Sequence, residues 1–476
     1  MKYKNIQIIM LLLITCSFGA CKKELNVYPT TSEVDGNVIV DAKSASTVLN
    51  GVYYRFANAG VDYNNVPTVK WSGVNESVPS ELSGMLTNSS GDDGILSFTF
   101  NSKTSEVSDE WSYGYNLVNA ANGFLKNVDP VTSIPAATKK QMEAEALFLR
   151  AFANEQLLLY FGQYNDPASK YGIILRDQVV STSNINQPRA TVAATYTSIL
   201  GDLNTAIAGL PSLNTQIYYT NSWTAKLLEA QVLINRGASG DYAQVIALTN
   251  DIITNGPFSL ETNVKDVFWT KGFASNEVML GVQPYATETY KYLNNQFYIQ
   301  YPVSDSLISF LQNDPRNKWV YQIANSPYYG PLPEFTKYYS GDPVNVNQTT
   351  LSEYCYAFRL TEAYLLQAEA ITLSGGNLAQ AKTLLKTVEG HAGITDFTDV
   401  DNASTAAALQ VLVVKEEMKN FVGENGQDWF ALRRLPFATM QTLQPAIKTA
   451  TTLIFPIPNT EITTNGQVIQ NPGYSN

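Results

Sequence analysis

Carboxylates are the first groups to weigh for chemistry, because 42 Asp and Glu face only 31 Lys and Arg in a chain of 476 residues. Cleaving a glycosidic bond takes two of them across a cleft, ~5 to 9.5 Å apart. The close pairs here, Glu143 with Glu145 and Glu416 with Glu417, fall in helical stretches. Residues one or two apart on a helix do not face each other, so these pairs read as structural and no catalytic centre is expected. The one histidine, His391, sits in Gly390-His391-Ala392-Gly393. That reads as a turn, and a surface or capping role suits it better than that of a base. One His and three Cys cannot supply a His-dependent zinc site, and no metal or cofactor is expected. Gly91-Asp92-Asp93-Gly94 lacks the ligand spacing of a calcium loop and reads as a turn. Arg359 and Glu362 read as a structural (i, i+3) pair. There is no GxSxG and no P-loop. The 28 tyrosines are the remaining resource, each with an apolar body and a polar tip that suit a wet binding surface.

The elements that must position these groups follow from charge and periodicity. A net charge of −11 argues against wide contact with nucleic acid or with an anionic lipid surface. Lys2 and Lys4 precede a thirteen-residue apolar stretch from Ile6 to Phe18. That is too short to span a bilayer and fits a signal peptide over residues 1–20. Phe18-Gly19-Ala20-Cys21 resembles a bacterial lipobox, so Cys21 is expected to carry acyl chains and to be the only membrane anchor. The absence of an Asp directly after Cys21 is compatible with sorting to the outer membrane. Residues 21–40 read as a tether and residues 41–476 as a single unit.

Within that unit the spacing predicts helices over 42–56, 107–126 and 138–161. The last carries one broad apolar stripe that should bury against more than one neighbour, with Gly162 as its stop. A helix over 191–210 precedes two helical hairpins, 223–254 and 358–388, each of tetratricopeptide length. A further helix spans 405–421, and 426–435 is helical. Helical repeats are thus expected at about 41–56, 107–257 and 356–421. Loop-rich parts are expected at 57–106 and 258–350, the second with a short strand at 277–281 and a short helix at 305–312. A tail covers 436–476.

Several stretches resemble the SusD/RagB family of outer-membrane lipoproteins. They are Glu143 to Phe152, Leu159-Tyr160-Phe161-Gly162, Pro188-Arg189-Ala190-Thr191-Val192, Phe358 to Ala370 and Gly423-Glu424 through Leu432-Arg433-Arg434. The tail adds Phe455-Pro456-Ile457-Pro458 and Gln470-Asn471-Pro472-Gly473-Tyr474. The resemblance implies a mainly α fold of degenerate tetratricopeptide-type repeats with a loop-rich ligand-binding part. It implies a surface lid on a SusC-like TonB-dependent outer-membrane barrel, and capture of an oligosaccharide, or in some relatives of a peptide. A helical-repeat lid without its own small ligand is a third reading.

The matching stretches are mostly repeat helices and read as scaffold, with the tail packed across them. Ligand binding then falls to the loops at about 57–105 and 283–330. Sugars offer C–H faces to rings and hydroxyls to polar side chains. Trp71 with Asn75, and Tyr290 and Tyr292 beside Asn294 and Asn295, are the candidate ligand-binding residues.

Overall fold

The computed structural model describes residues 38–326, 330–342 and 345–475. The leader, Cys21 and most of the tether lie outside the described residues. The long helices are α1 (Ala42–Phe56), α2 (Ser105–Val128), α3 (Ala136–Phe161), α4 (Val192–Gly209), α5 (Ser222–Arg236), α6 (Asp241–Asn255), α7 (Leu360–Leu373), α8 (Leu378–His391) and α9 (Ala406–Phe421). Several of their starts are fixed by side chains that accept the first free N–H groups. Asp41 and Ser44 cap α1 reciprocally, Asn221 and Thr224 do so for α5, and Thr191 and Thr405 cap α4 and α9.

The central helix is α3. From Ala144 to Phe161 only Leu147 and Arg150 escape full burial, because α2 packs on one side and α4 on another. At the α2 crossing a Cβ on Gly114 would meet Leu157 Cγ at 2.5 Å, so glycine sets how closely the helices approach. Helices α5 and α6 form one hairpin, α7 and α8 the next, and α6 packs on α7 to stack them. The small residues Ala230, Ala368 and Ala381 are wholly buried where the helices meet. The tail lies across the end of α3, as expected. Phe455 N–H donates to Tyr160 O at 2.6 Å, and Asn471 Nδ2 donates to Phe161 O and Phe455 O. Arg189 donates to Asn471 Oδ1 and to the carbonyls of Phe161, Tyr171 and Gly172, which ties the tail to the entry of α4.

Two sequence expectations are corrected. The helix expected from Phe358 begins at Leu360, because Cys355–Arg359 is a strand paired antiparallel with Val278–Val282. Arg359 is therefore not the (i, i+3) partner of Glu362. Glu362 instead accepts from Gln231, while Arg359 turns to Glu277 and Glu424. The segment 57–106 is not an exposed loop. It holds an antiparallel pair, Ala59–Val61 with Pro67–Val69, then a π-helical turn Gly73–Ser77 and a short helix Val78–Leu82. Val74 to Ser83 are all buried. Polar residues fill this stretch, which made it read as loop, but several of their side chains meet buried partners. Ser80 and Ser83 donate to Asp428 Oδ2 at 2.6 and 2.8 Å, and Glu76 pairs with Lys291 at 3.1 Å.

Buried ion pairs join the repeats to the irregular part. Glu424 takes Arg359 Nε at 2.6 Å and Nη2 at 2.9 Å, and also pairs with Lys337. Arg316 forks onto Glu416 at 2.7 and 2.9 Å and onto Asp314. Arg434 bridges Glu369 and Glu417. The adjacent acids Glu416 and Glu417 thus serve two separate arginines, and Glu145 accepts from Tyr53, so the close carboxylate pairs are structural.

Removing one member of such a buried set leaves a charge without its partner. Glu424→Gln should lower unfolding stability by about 3–5 kcal/mol in urea titrations, and a loss under about 1 kcal/mol would contradict the role given to Glu424.

The pH dependence has a definite sign. Burial pushes the carboxyls of Asp428 and Glu362 up to about 7 and about 8. The folded state therefore holds more protons than the unfolded chain above the ordinary carboxylate range, and stability falls as pH rises through that window. Burial also opposes ionisation of Asp314, but the charge and hydrogen bonds of Arg316 hold it down at about 2. Its contribution is lost only as pH falls toward that value. The thermal midpoint should be higher at about pH 5 than at about pH 8, and the reverse order would contradict this balance.

Candidate functional site

The π-helical turn Tyr290–Asn294 is set by the buried residue at its second position. Lys291 Nζ pairs with Glu76, donates to Tyr354 O at 2.8 Å and lies 3.6 Å from the centre of the Tyr338 ring. Its backbone N–H donates to Glu353 Oε2 at 2.9 Å. With Lys291 pinned inward, the tyrosines on either side of it diverge. Tyr292 stacks on Tyr298 at 5.3 Å and leans on Tyr339. Tyr290 faces a surface cleft of about 470 Å³. Glu288 braces Tyr290 from behind, accepting from Tyr290 N–H at 2.9 Å and from Val69 N–H at 2.8 Å.

Three segments wall the cleft. One is the Asn58–Asn88 side, with Lys70, Ser77 and Glu81; the second is the start of α2, with Glu106, Asp109 and Asn116; the third carries Tyr290, Asn295 and Tyr301. The first and third are tied along their rims. Thr87 N–H donates to Pro302 O and Ser89 N–H to Gln300 O, both at 2.8 Å, and Gln300 Nε2 donates to Asn88 Oδ1 at 2.7 Å. Asx turns hold the loop that closes one end. Asp92 Oδ1 accepts from Gly94 and Leu96, so the Gly91–Gly94 run is a turn, and no cluster of acids fit to hold a metal ion occurs among the described residues.

Of the sequence-predicted ligand residues, the structure brings Tyr290 and its neighbour Asn295 into this cleft. Trp71 is a core ring with no exposed surface, 4.9 Å from Phe56, 6.0 Å from Phe152 and 6.4 Å from Tyr113. It cannot stack on a sugar. Asn75 is 3 % exposed and lies among the buried polar groups of the turn Gly73–Ser77, so it too is removed from the surface. Tyr292 is half-buried in its stack with Tyr298, apart from the cleft. The three rings do not form one surface. Sequence reasoning missed Glu81, Asp109, Asn116 and Tyr301. Only Tyr301 carried a signal, as one more ring in the irregular segment after residue 258.

Fold and cleft together define a helical-repeat protein whose irregular segments open a polar, tyrosine-bearing surface cleft. Comparison with known proteins agrees. Residues 70–230 match a family described as starch-binding and associating with the outer membrane, and residues 317–474 match the SusD family. The chain belongs to the SusD/RagB family. Its fold is similar to that of a SusD superfamily protein from Bacteroides thetaiotaomicron, with a TM-score of 0.73 at 19% identity over 91% of this chain and 100% of the other. It is similar to NanU of B. fragilis, with a TM-score of 0.72 at 18% identity over 94% and 100%. It is also similar to a laminarin-binding SusD-like protein, with a TM-score of 0.71 at 21% identity over 92% and 100%. A search of curated protein sequences gives no match.

The two kinds of ring should separate on substitution. Trp71→Ala should cost about 3–5 kcal/mol of stability, as for a core aromatic, while Tyr290→Ala should cost under about 1.5 kcal/mol. Thermal and urea unfolding of both variants checks this, and equal losses would contradict the placement of Tyr290 at the cleft.

Proposed function

We propose that this chain is a non-catalytic surface lipoprotein that captures oligosaccharides and hands them to a SusC-like TonB-dependent outer-membrane barrel. The observation that carries the reading is the cleft itself. Two tyrosines, Tyr290 and Tyr301, stand beside the amides Asn58, Asn88, Asn116 and Asn295 in an open depression. Rings of this kind cover C–H faces of a sugar, and amides both donate to and accept from its hydroxyls. The walls are held by main-chain hydrogen bonds, so little side-chain and loop entropy is lost when a ligand docks. Family membership, the laminarin-binding relative and the lipobox before Cys21 support the same reading.

Among the described residues no helix is long and apolar enough to cross a membrane, so attachment is assigned to acyl chains on Cys21. A surface-anchored chain holding a weak ligand gains retention from a partner docked beside it. The carboxylates of Glu416, Glu417 and Glu424 are engaged in ion pairs, which fits capture without hydrolysis.

Two measurements test this proposal. A glycan and peptide array on the soluble mature chain should yield glycan hits that weaken in Tyr290→Ala; peptide hits alone would favour the peptide-capturing reading. Cys21→Ala should move the protein out of the outer-membrane fraction in cells lacking the neighbouring transporter, and retention there would reveal another anchor.

A further inference from the structure

The cleft carries charge of nearly one sign. Glu81, Asp93, Glu106 and Asp109 line it, against the single cation Lys70. Among the described residues none of these four acids forms a salt bridge, unlike Glu76, Glu416 and Glu424. Glu81 is the deepest, at 3 % exposed, and one of its carboxylate oxygens has no hydrogen-bond partner. A buried acceptor left without a donor is costly, and a ligand that brings a donor to it recovers that cost. Glu106 on α2 and the turn bearing Asp92 and Asp93 face Glu81, with Asn88 and Tyr301 completing its surroundings.

Resting on the glycan-capturing reading above, we propose that the cleft selects oligosaccharides bearing free amino groups, an ammonium seating against Glu81 between Asp93 and Glu106. The same field repels uronic and other acidic sugars. A hydroxyl can also donate to Glu81. An ammonium does so with charge assistance, and the nearby Asp93 and Glu106 add to the attraction, which makes it the better occupant. An acetylated nitrogen retains one donor but loses the charge.

The protonation of the site fits this assignment. Burial and the negative charge of Asp93 push the Glu81 carboxyl up to about 8. Burial and a hydrogen bond with Asp93 raise that of Glu106. At neutral pH Glu81 therefore holds a proton that an ammonium displaces, and binding of an amino sugar should release it to the buffer.

Calorimetry on the mature chain at about pH 6, where an amine is protonated, tests the proposal with three oligosaccharides of equal length. They are β-linked glucosamine, its N-acetylated form and a uronic acid oligomer. The amine form should bind about tenfold more tightly than the acetylated form, and the uronic form should not bind. Titration in two buffers of different ionisation enthalpy should show release of roughly one proton per ligand. Glu81→Gln should bring the ratio of amine to acetylated affinity close to one. Should that variant fail to fold, Glu106→Gln at the cleft wall should shrink the same ratio. Failure of the amine form to bind overturns the proposal. Equal binding of amine and acetylated forms overturns the selectivity and leaves glycan capture standing. Binding of an oligolysine peptide, with no glycan bound, overturns both.

Discussion

Glu424 sits where the two halves of this molecule meet, and its carboxylate has to satisfy two cations at once. Arg359 ends a strand and leads into α7, so it belongs to the repeats. Lys337 follows Gly330–Phe335, so it belongs to the irregular part. Both reach the same carboxylate, and Arg359 also reaches Glu277 beside its partner strand. Lys337 further donates to the carbonyls of Asn420 and Val422, which closes the end of α9. Pairs this deep are not in themselves a large net source of stability, since desolvation offsets most of their attraction. Their effect is on geometry. Moving any one partner away strands a charge, so the repeats and the irregular segments hold a single relation to each other.

The cleft inherits its shape from that constraint through short steps. Just beyond Glu424, Asp428 accepts from Ser80 and Ser83, and Ser80 in turn accepts from Gly423 N–H at 2.8 Å. This fixes the short helix Val78–Leu82 and so the position of Glu81. Three residues before Ser80 the π-helical turn ends, and its Glu76 holds Lys291, which points Tyr290 outward. Two walls of the cleft are thus set by charges and hydroxyls in the interior. A rigid scaffold carrying a site on irregular segments is the common arrangement for binding proteins.

How much of this was legible in the sequence depended on whether the signal was periodic. Helix α1 was placed residue for residue, and α3 and the α5–α6 hairpin came within two residues at each end, because apolar spacing and capping residues are local. That the tail packs across the repeat helices is an expectation carried by the family resemblance, and its seat on the end of α3 is seen only in the structure. The segment after α1 was misjudged because Ser, Asn and Glu there resemble loop composition, whereas Glu76, Ser80 and Ser83 are buried against partners more than two hundred residues away. Such pairings leave no trace in local composition. The same blindness explains Trp71. A lone Trp near an Asn reads the same whether it faces solvent or Phe56 and Phe152. Tyr290 and Tyr292 are close in sequence, yet in a helical turn residues two apart point in different directions.

The central claim is that ligand enters between the start of α2, the turn before Glu81 and the segment Tyr290 to Tyr301. Hydrogen exchange of the mature chain, with and without an oligosaccharide identified on the array, tests it most directly. The account predicts added protection confined to residues 73–93, 105–116 and 288–302. Protection concentrated instead on the repeat hairpins at 222–255 and 360–391, with the cleft segments unchanged, would contradict it.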